Sequence, residues 1–345
     1  MKKDRVPVAA PGSPTLEEVA RVAGVSRATA SRAINGGTKV SPRAQQAVAA
    51  AVRTLGYSPN LAARALVTRR TDSIAVVVPE PDETVFSDPF FAGTLRGVGR
   101  VLAEHDLQMV LLLAPRGAEG DRTVRYLRAR HVDGALITSH HRDDKLAGRM
   151  ADIGLPCVFG GRPWLDSDRV TYVDVDNLAG GRLAGEALLE RGCRAIATVA
   201  GPADMTAAVD RLEGWRSALL AAGHRADRVA HGDFSADSGD VAVRELLARH
   251  PEIDGLFVAS DLMAIAAIRA LAALGRSVPG DVAVVGFDDF GDAERASPPL
   301  TTLRNPAVEM AEQATRMLLQ QMTGQAPGTP LRMVLPTRLV RRQSC

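Results

Sequence analysis

The sequence predicts an α/β protein built from a small helical head and a larger body of parallel sheets in two lobes. Three observations predict it. Residues 15–56 carry three short helical patterns with start and stop signals and no strand pattern. From residue 73 onward, short β-rich runs alternate with amphipathic helices, which means parallel sheets covered by helices. Charge divides at the same place: residues 1–70 hold 12 Lys and Arg against 3 Asp and Glu, a net +9, while the whole chain is +2 and the remainder therefore −7. A basic head on an acidic body points the head toward a polyanion.

Composition narrows the class. At 345 residues the chain suits roughly two domains, and 46% hydrophobic with 24% charged residues is globular, not disordered or collagen-like. No run of about 18 uncharged apolar residues spans a membrane. The first twenty residues, broken by Asp4, Arg5 and three prolines, hold no signal peptide, so a cytoplasmic protein with no membrane partner is expected. Cys157, Cys193 and Cys345 are an odd number at unrelated spacing, neither a disulfide framework nor a zinc site.

Residues 1–14 are Pro-rich and unpatterned, an expected disordered leader. The head follows over 15–58. Thr15 and Glu18 form a capping box, Leu16, Val19, Ala20 and Ala23 recur at helical spacing, and Gly24 supplies the stop. Ser26 caps a second helix, Arg27 to about Asn35, ended by Gly36 and Gly37. Ser41-Pro42 starts a third that runs to Gly56. The Gly24-Val25-Ser26 turn makes the first pair a helix-turn-helix.

That arrangement suits a DNA major groove, where the second helix turns its N-terminal residues to base edges. Arg27 and Arg32 can bond guanine bidentately, and the methyls of Ala28 and Thr29 can touch thymine. Ser26, Ser31 and Asn35 are short polar groups suited to phosphate oxygens. Thr15, Lys39, Tyr57, Asn60, Ala63 and Leu66 complete the candidate DNA contacts. Residues 59–71 read as a hinge helix and linker. Asn60 can cap the short helix, which is too short to be stable alone and needs a partner.

The run TLEEVARVAGVSRATASRAINGGTKVSPRAQQAVAAAVRTLGYSPNLAARAL resembles the DNA-binding head of the lactose-repressor/galactose-repressor (LacI/GalR) family of bacterial transcription regulators. The resemblance implies that paired hinge helices enter the minor groove at the operator centre, with Leu66 as the wedge that opens a base step. Apolar wedges of this kind kink DNA.

The body, 72–345, has strand candidates at 73–78, 108–113, 135–138, 157–159, 195–199, 256–259 and 282–286. So many strands favour two lobes, and ligands of such sheets bind beyond the carboxyl ends of the strands. Gly160-Gly161-Arg162, Ser260-Asp261 and Phe287-Asp288-Asp289 stand there, with Phe90, Phe91, Trp164 and Phe234 as nearby aromatics. Carboxylates and arginine suit a polar ligand such as a sugar. Asp261 and Asp289 also fit simple helix-capping roles, and Trp215 reads as core.

The family resemblance extends over this body through DPFFAGTLRGV, VDVDNLAGG, DRLEGW, ASDLMAIAAIRAL, VPGDVAVVGFDD and PPLTTL. It implies a periplasmic-binding-protein-like body whose chain crosses between lobes three times. The lobes are expected at about 72–173 with 304–331, and 174–303 with 332–345. It makes Arg211 and Asp288 effector ligands, with Phe234 against the ligand. The candidate effector set is Phe90, Arg162, Arg211, Phe234, Ser260 and Asp288. Ser260 stands where many sugar-responsive members carry Asn, and Gly161 where the lactose repressor carries Asp.

His140-His141 with Asp143-Asp144 reads as a polar cleft rim rather than a metal site, since adjacent strand residues point oppositely. No G-x-S-x-G, P-loop or H-E-x-x-H is present, so no enzyme, cofactor or metal is expected. The leading reading is a homodimeric repressor of carbohydrate-related genes, released from a pseudo-palindromic operator by a sugar-like effector. Two alternatives stay open: a regulator of the same fold co-repressed by a ligand or partner protein, and an α/β sugar-acting enzyme. The C-terminus carries no heptads, so no coiled-coil tetramer is expected.

Overall fold

The structure, a computed structural model, describes residues 14–34, 40–58, 70–115, 118–144 and 146–345. The hinge expected at Asn60–Val67 and the candidate contacts Asn35, Lys39, Asn60, Ala63 and Leu66 lie outside the described residues. The chain divides into two compact units at Thr71/Asp72.

In the first unit, α1 (Leu16–Val22) starts with the expected capping box: Thr15 Oγ1 accepts from the Glu18 amide at 3.3 Å and Glu18 Oε2 from the Thr15 amide at 2.7 Å. Ser26 Oγ accepts from the Thr29 amide at 3.1 Å and begins α2 (Arg27–Ile34). In α3 (Pro42–Leu55), Ser41 caps the Ala44 amide and Gly56, at φ 62°, closes the helix in a left-handed turn. The helices hold one another through Val19, Ala20, Ala30, Val48 and Ala51, all buried. Tyr57 packs half-buried against this cluster, and burial raises its phenol pKa.

The second unit carries two six-stranded sheets. The first lobe holds β1 (Ser73–Val78), α4 (Asp82–Ser87), α5 (Pro89–Glu104), β2 (Gln108–Leu113), α6 (Ala118–Arg128) and β3 (Gly134–Thr138). It continues with α7 (Leu146–Ile153), β4 (Cys157–Gly160) and β5 (Thr171–Val175). The second lobe holds α8 (Asn177–Glu190), β6 (Ile196–Ala200), α9 (Thr206–Ala221), β7 (Val229–His231), α10 (Ala236–Arg249) and β8 (Gly255–Val258). After these come α11 (Asp261–Ala273), β9 (Ala283–Asp288), α12 (Asp292–Arg295) and β10 (Thr301–Arg304). The chain then returns to the first lobe for α13 (Ala307–Met322) and β11 (Arg332–Leu335) and ends in the second with β12 (Leu339–Val340).

Sheet order is β11-β5-β4-β3-β1-β2 in the first lobe and β12-β10-β9-β8-β6-β7 in the second. Every pairing is parallel except β10–β12. Parallel strands covered on both faces read as unbroken apolar runs, and Ser73–Val78 is buried at all six positions. Each sheet separates two apolar clusters, one per face. Trp215 is fully buried, as its place in the sequence predicts.

Two expectations are corrected. Arg332–Leu335 pairs with Tyr172–Val175, so the first lobe keeps the chain through Leu335 instead of releasing it at 331. It also runs to Val175, and Arg304 pairs with Asp288 in the second lobe, so the crossings fall at 175–177, 304–307 and 335–339. The seven strands read from the sequence are present within two residues at each end, but β5, β7, β10, β11 and β12 were not legible. These five are short or carry polar residues, such as Asp174 inside β5 and Thr301-Thr302 inside β10. No helix among the described residues is long and apolar enough to cross a membrane.

Candidate functional site

Where the carboxyl ends of the two sheets face each other, a cleft of about 590 Å³ opens. Parallel strands end here with their following loops, so side chains from many elements converge. Five of the six candidate effector residues line it: Phe90, Arg211, Phe234, Ser260 and Asp288.

Arg211 is placed by a close helix crossing. A Cβ on Gly181 of α8 would lie 1.9 Å from the Arg211 carbonyl oxygen, and one on Gly214 of α9 would lie 2.0 Å from the Leu178 carbonyl oxygen. Backbone meets backbone because both positions lack side chains. The Arg211 side chain is 6% exposed and held at every turn. Its Nε donates to Asn177 Oδ1 at 2.9 Å, its Nη1 to the Ala259 carbonyl at 2.6 Å, and its guanidinium lies 3.6 Å from the Phe287 ring centroid. Burial lowers its pKa and the charge of Asp288 acts against that; arginine stays protonated in either case.

Asp288 is the last residue of β9, with φ 136°, a backbone region that non-glycine residues rarely occupy. One oxygen, Oδ1, sits 4.0 Å from Arg211 Nη1 and accepts from Asn305 Nδ2 at 3.0 Å. Burial pushes its carboxyl well above the usual range, and Arg211 pulls it back only in part. Such a group gains from added hydrogen-bond donors. The loop that holds it is tied by Asp261, which accepts from the Asp289 amide at 2.6 Å and from Thr302 Oγ1 at 2.5 Å. Burial pushes Asp261 up to about 7. The cap of α11 is Ser260, not Asp261, and Asp289 pairs with Arg342 at 2.6 Å instead of capping a helix. Phe90 from the first lobe and Phe234 from the second also line the cavity, the Phe234 ring centroid 5.8 Å from the Arg211 guanidinium.

Arg162 does not line the cavity. Its Nη2 bonds both oxygens of Asp210 on α9, at 2.8 and 2.6 Å, and its carbonyl accepts from Thr206 Oγ1 at 2.6 Å. It ties one lobe to the other. The histidine pair serves a similar purpose. His140 Nε2 donates to the Gly161 carbonyl, 3.1 Å away, and burial pushes its pKa down to about 4, so it is neutral. His141 stands between Glu80 of its own lobe and Asp204 of the other, each 2.9 Å from a ring nitrogen. Arg142 adds a bond from its amide to the Asp204 carbonyl at 2.9 Å and stacks 4.0 Å over Trp164.

Two carboxylates facing two ring nitrogens require both nitrogens to carry protons. Burial alone would lower the His141 pKa, but the hydrogen bonds and charges of Glu80 and Asp204 outweigh it and the pKa is raised. A raised histidine stabilises fully below its ordinary value near 6.5 and loses that contribution as pH climbs through the folded value. Body stability should therefore fall from about pH 6.5 upward, and His141→Gln should remove about 1–3 kcal/mol of it at the acid end. Asp174, pushed up to about 6 by burial, and Asp261 titrate in the same direction, so the variant-minus-wild-type difference is the quantity to read. Denaturation midpoints that keep the wild-type pH slope in His141→Gln would reject the bridge.

In the first unit, Arg27, Ala28 and Arg32 are exposed on one helix, with Thr29 partly so. Arg27 Nε pairs with Glu17 at 2.6 Å, and Arg32 Nε folds back to the Ala28 carbonyl at 3.1 Å. Exposed pairs of this kind have little net worth and exchange readily for another anion. The hydroxyls of Thr15 and Ser26 are engaged in capping, and Ser31 is half-buried. Sequence reasoning missed Glu80, Asn177, Asp204 and Asn305 as parts of the cleft. Glu80 follows β1 by two residues, so the strand-end rule applied to that strand would have found it.

Comparison with known proteins gives two family matches. Residues 15–60 match the bacterial regulatory proteins, lacI family, and residues 186–345 match a periplasmic binding protein-like domain. The HTH-type transcriptional regulator CelR of Thermobifida fusca is 51% identical over 334 residues, covering 96% of this chain and 98% of CelR. The ribose operon repressor of Escherichia coli K12 is 34% identical over 320 residues, covering 90% and 93%. Among solved structures, a CelR–cellobiose complex superposes with a TM-score of 0.78 at 49% identity, covering 96% of this chain and 100% of that one. The lac repressor dimer bound to operator and the anti-inducer ONPF superposes at 0.87 and 28% identity, covering 96% and 99%.

Proposed function

The chain belongs to the lacI family of bacterial regulatory proteins, and from that premise we propose that a homodimer of it represses carbohydrate genes and is released from a pseudo-palindromic operator by cellobiose or a close β-glucoside. That it is a DNA-binding transcription regulator and not an enzyme follows from the family. The observation that carries the effector reading is the cleft itself. Arg211 and Asp288 meet at the wall of a cavity that Phe90 and Phe234 also line. Rings of that kind cover the apolar face of a pyranose while charged groups take its hydroxyls. The CelR–cellobiose complex, at 49% identity, supports the choice of sugar.

Ligand bridging the two walls favours the closed arrangement of the lobes. The change passes to the head along residues 59–71, and reciprocity requires operator to weaken effector binding by the same factor. The test is fluorescence anisotropy of a labelled operator, recovered by selection from randomised DNA, titrated with cellobiose. Release is expected at a saturable concentration. A complex that ignores cellobiose, or that glucose dissociates at equal concentration, overturns the effector assignment.

The head carries its own prediction. Arg27, Ala28, Thr29 and Arg32 read bases. Arg32→Ala should weaken operator binding about ten- to hundredfold and relax specificity at one symmetric base position. Recovery of an unchanged site in a repeat selection with the variant would show that Arg32 reads no base.

A further inference from the structure

Two neighbouring strands of the first lobe are pinned together at both ends. β1 and β3 run parallel, in register from Ile74 opposite Gly134 to Val77 opposite Ile137, and every residue of each is buried. At the end where the chain enters the body, the Asp72 amide donates to Asp133 Oδ2 at 2.9 Å. The Asp133 amide donates to the Ser73 carbonyl at 2.8 Å, and the Asp72 carbonyl accepts from the Gln108 amide of β2 at 2.9 Å. Asp72 is held there at φ 51°, a left-handed conformation uncommon for a residue with a side chain. At the cleft end, Ser139 Oγ donates to Glu80 Oε1 at 2.7 Å, and the same oxygen lies 2.9 Å from His141 Nε2. The other ring nitrogen of His141 meets Asp204 of the second lobe. From Asp133 to Ser139 is about 20 Å along a strand.

We propose that β1 and β3 act as one rigid strut between the cleft and the chain's entry into the body, and that Asp133 is the positioning residue that makes lobe movement turn the chain at Asp72. The inference rests on the reading of the cleft as an effector site that controls operator binding. The polypeptide passes from the first unit to the body at Thr71/Asp72, so the direction of the chain at Asp72 sets where that covalent connection starts. A loosely held residue there would absorb a lobe movement by rotating about its own φ and ψ, the two soft dihedrals of the backbone. The bonds to the Asp72 amide and carbonyl, one on each side of its Cα, resist both rotations. The carbonyl is held by the main chain of β2, whereas the amide is held by a side chain, which puts the control at Asp133. Rigid elements carry coupling between distant sites, and slack at either end dissipates it.

The experiment measures operator affinity of the full chain without and with saturating cellobiose, for wild type, Asp133→Ala and Asp133→Asn. The ratio of the two affinities is the coupling factor. Asp133→Ala should lower that factor about tenfold. Its affinity for cellobiose alone, read by isothermal titration, should stay within about twofold of wild type. Asp133→Asn keeps an acceptor oxygen for the Asp72 amide and should restore the wild-type factor. A merely structural role would move cellobiose affinity and coupling together. Asp133→Ala that keeps the wild-type factor, or that loses cellobiose affinity to the same extent, overturns the proposal. So does an Asp133→Asn that couples as poorly as Asp133→Ala. Hydrogen exchange of wild-type peptides covering residues 72–78 gives a readout independent of the variants' folding. Protection that cellobiose leaves unchanged is expected of a rigid strut, and protection lost on adding cellobiose overturns it. Wild-type operator binding that cellobiose does not alter overturns the effector reading and this inference with it, a result distinct from an unchanged factor in Asp133→Ala.

Discussion

Gly181→Ala should cost the body about 3 kcal/mol of stability or more and abolish its response to effector. The added Cβ would lie 1.9 Å from the carbonyl oxygen of Arg211 and 2.7 Å from its carbonyl carbon. Both are backbone atoms, so no rotamer relieves the clash and α9 must move. That movement takes Arg211 away from Asn177 and the Ala259 carbonyl, which hold its guanidinium in the cleft. Gly99→Ala in α5 is the matched control, because a Cβ there meets nothing within 4 Å. It should be neutral, or stabilising by up to about 1 kcal/mol through helix propensity. Urea denaturation of both variants decides the matter: equal midpoints would mean that the α8–α9 contact does not position the site.

Asp288→Ala should weaken effector binding about a hundredfold or more while leaving operator affinity in the absence of effector near wild type. Truncation removes the acceptor beside Arg211 and leaves that cation buried with one fewer counter-charge. Reading Asp288 as a strand-end residue predicts almost intact folding, but it is 8% exposed and bonded to Asn305. A stability loss of about 1–3 kcal/mol is therefore expected as well. The measurement is operator release against cellobiose for both proteins. A variant that lets go at the wild-type cellobiose concentration removes Asp288 from the binding site. Cellobiose that tightens operator binding would reverse the sign of the control and make it a co-repressor.

These two predictions differ in how far the sequence could supply them. Asp288 follows a clear strand and stands in a GFDD run, so both the strand-end rule and the family resemblance reach it. Gly181 lies in a helical pattern as one glycine among 31, and only its packing partner gives it importance. Arg162 shows the reverse error. It stands after a strand, has the right chemistry for a ligand, and is taken instead by Asp210, 48 residues away.

The sequence by itself determined the helical head, the seven strands that read as apolar runs, the alternation that makes two parallel sheets, and the family. Those signals are local. A capping box spans four residues, from Thr15 to Glu18, and a buried parallel strand announces itself as an apolar run such as Ser73–Val78. Only the tertiary structure decided where the chain changes lobes and which polar residues face the cleft. Residues 332–335 add to the sheet through strand 171–175, some 160 positions earlier, and nothing in either short stretch names the other. Glu80, His141 and Asp204 become one bridge only when two lobes close over a common space. The physical reason is that caps and periodicity are read from neighbours along the chain, whereas burial and hydrogen-bond satisfaction depend on what folding brings alongside.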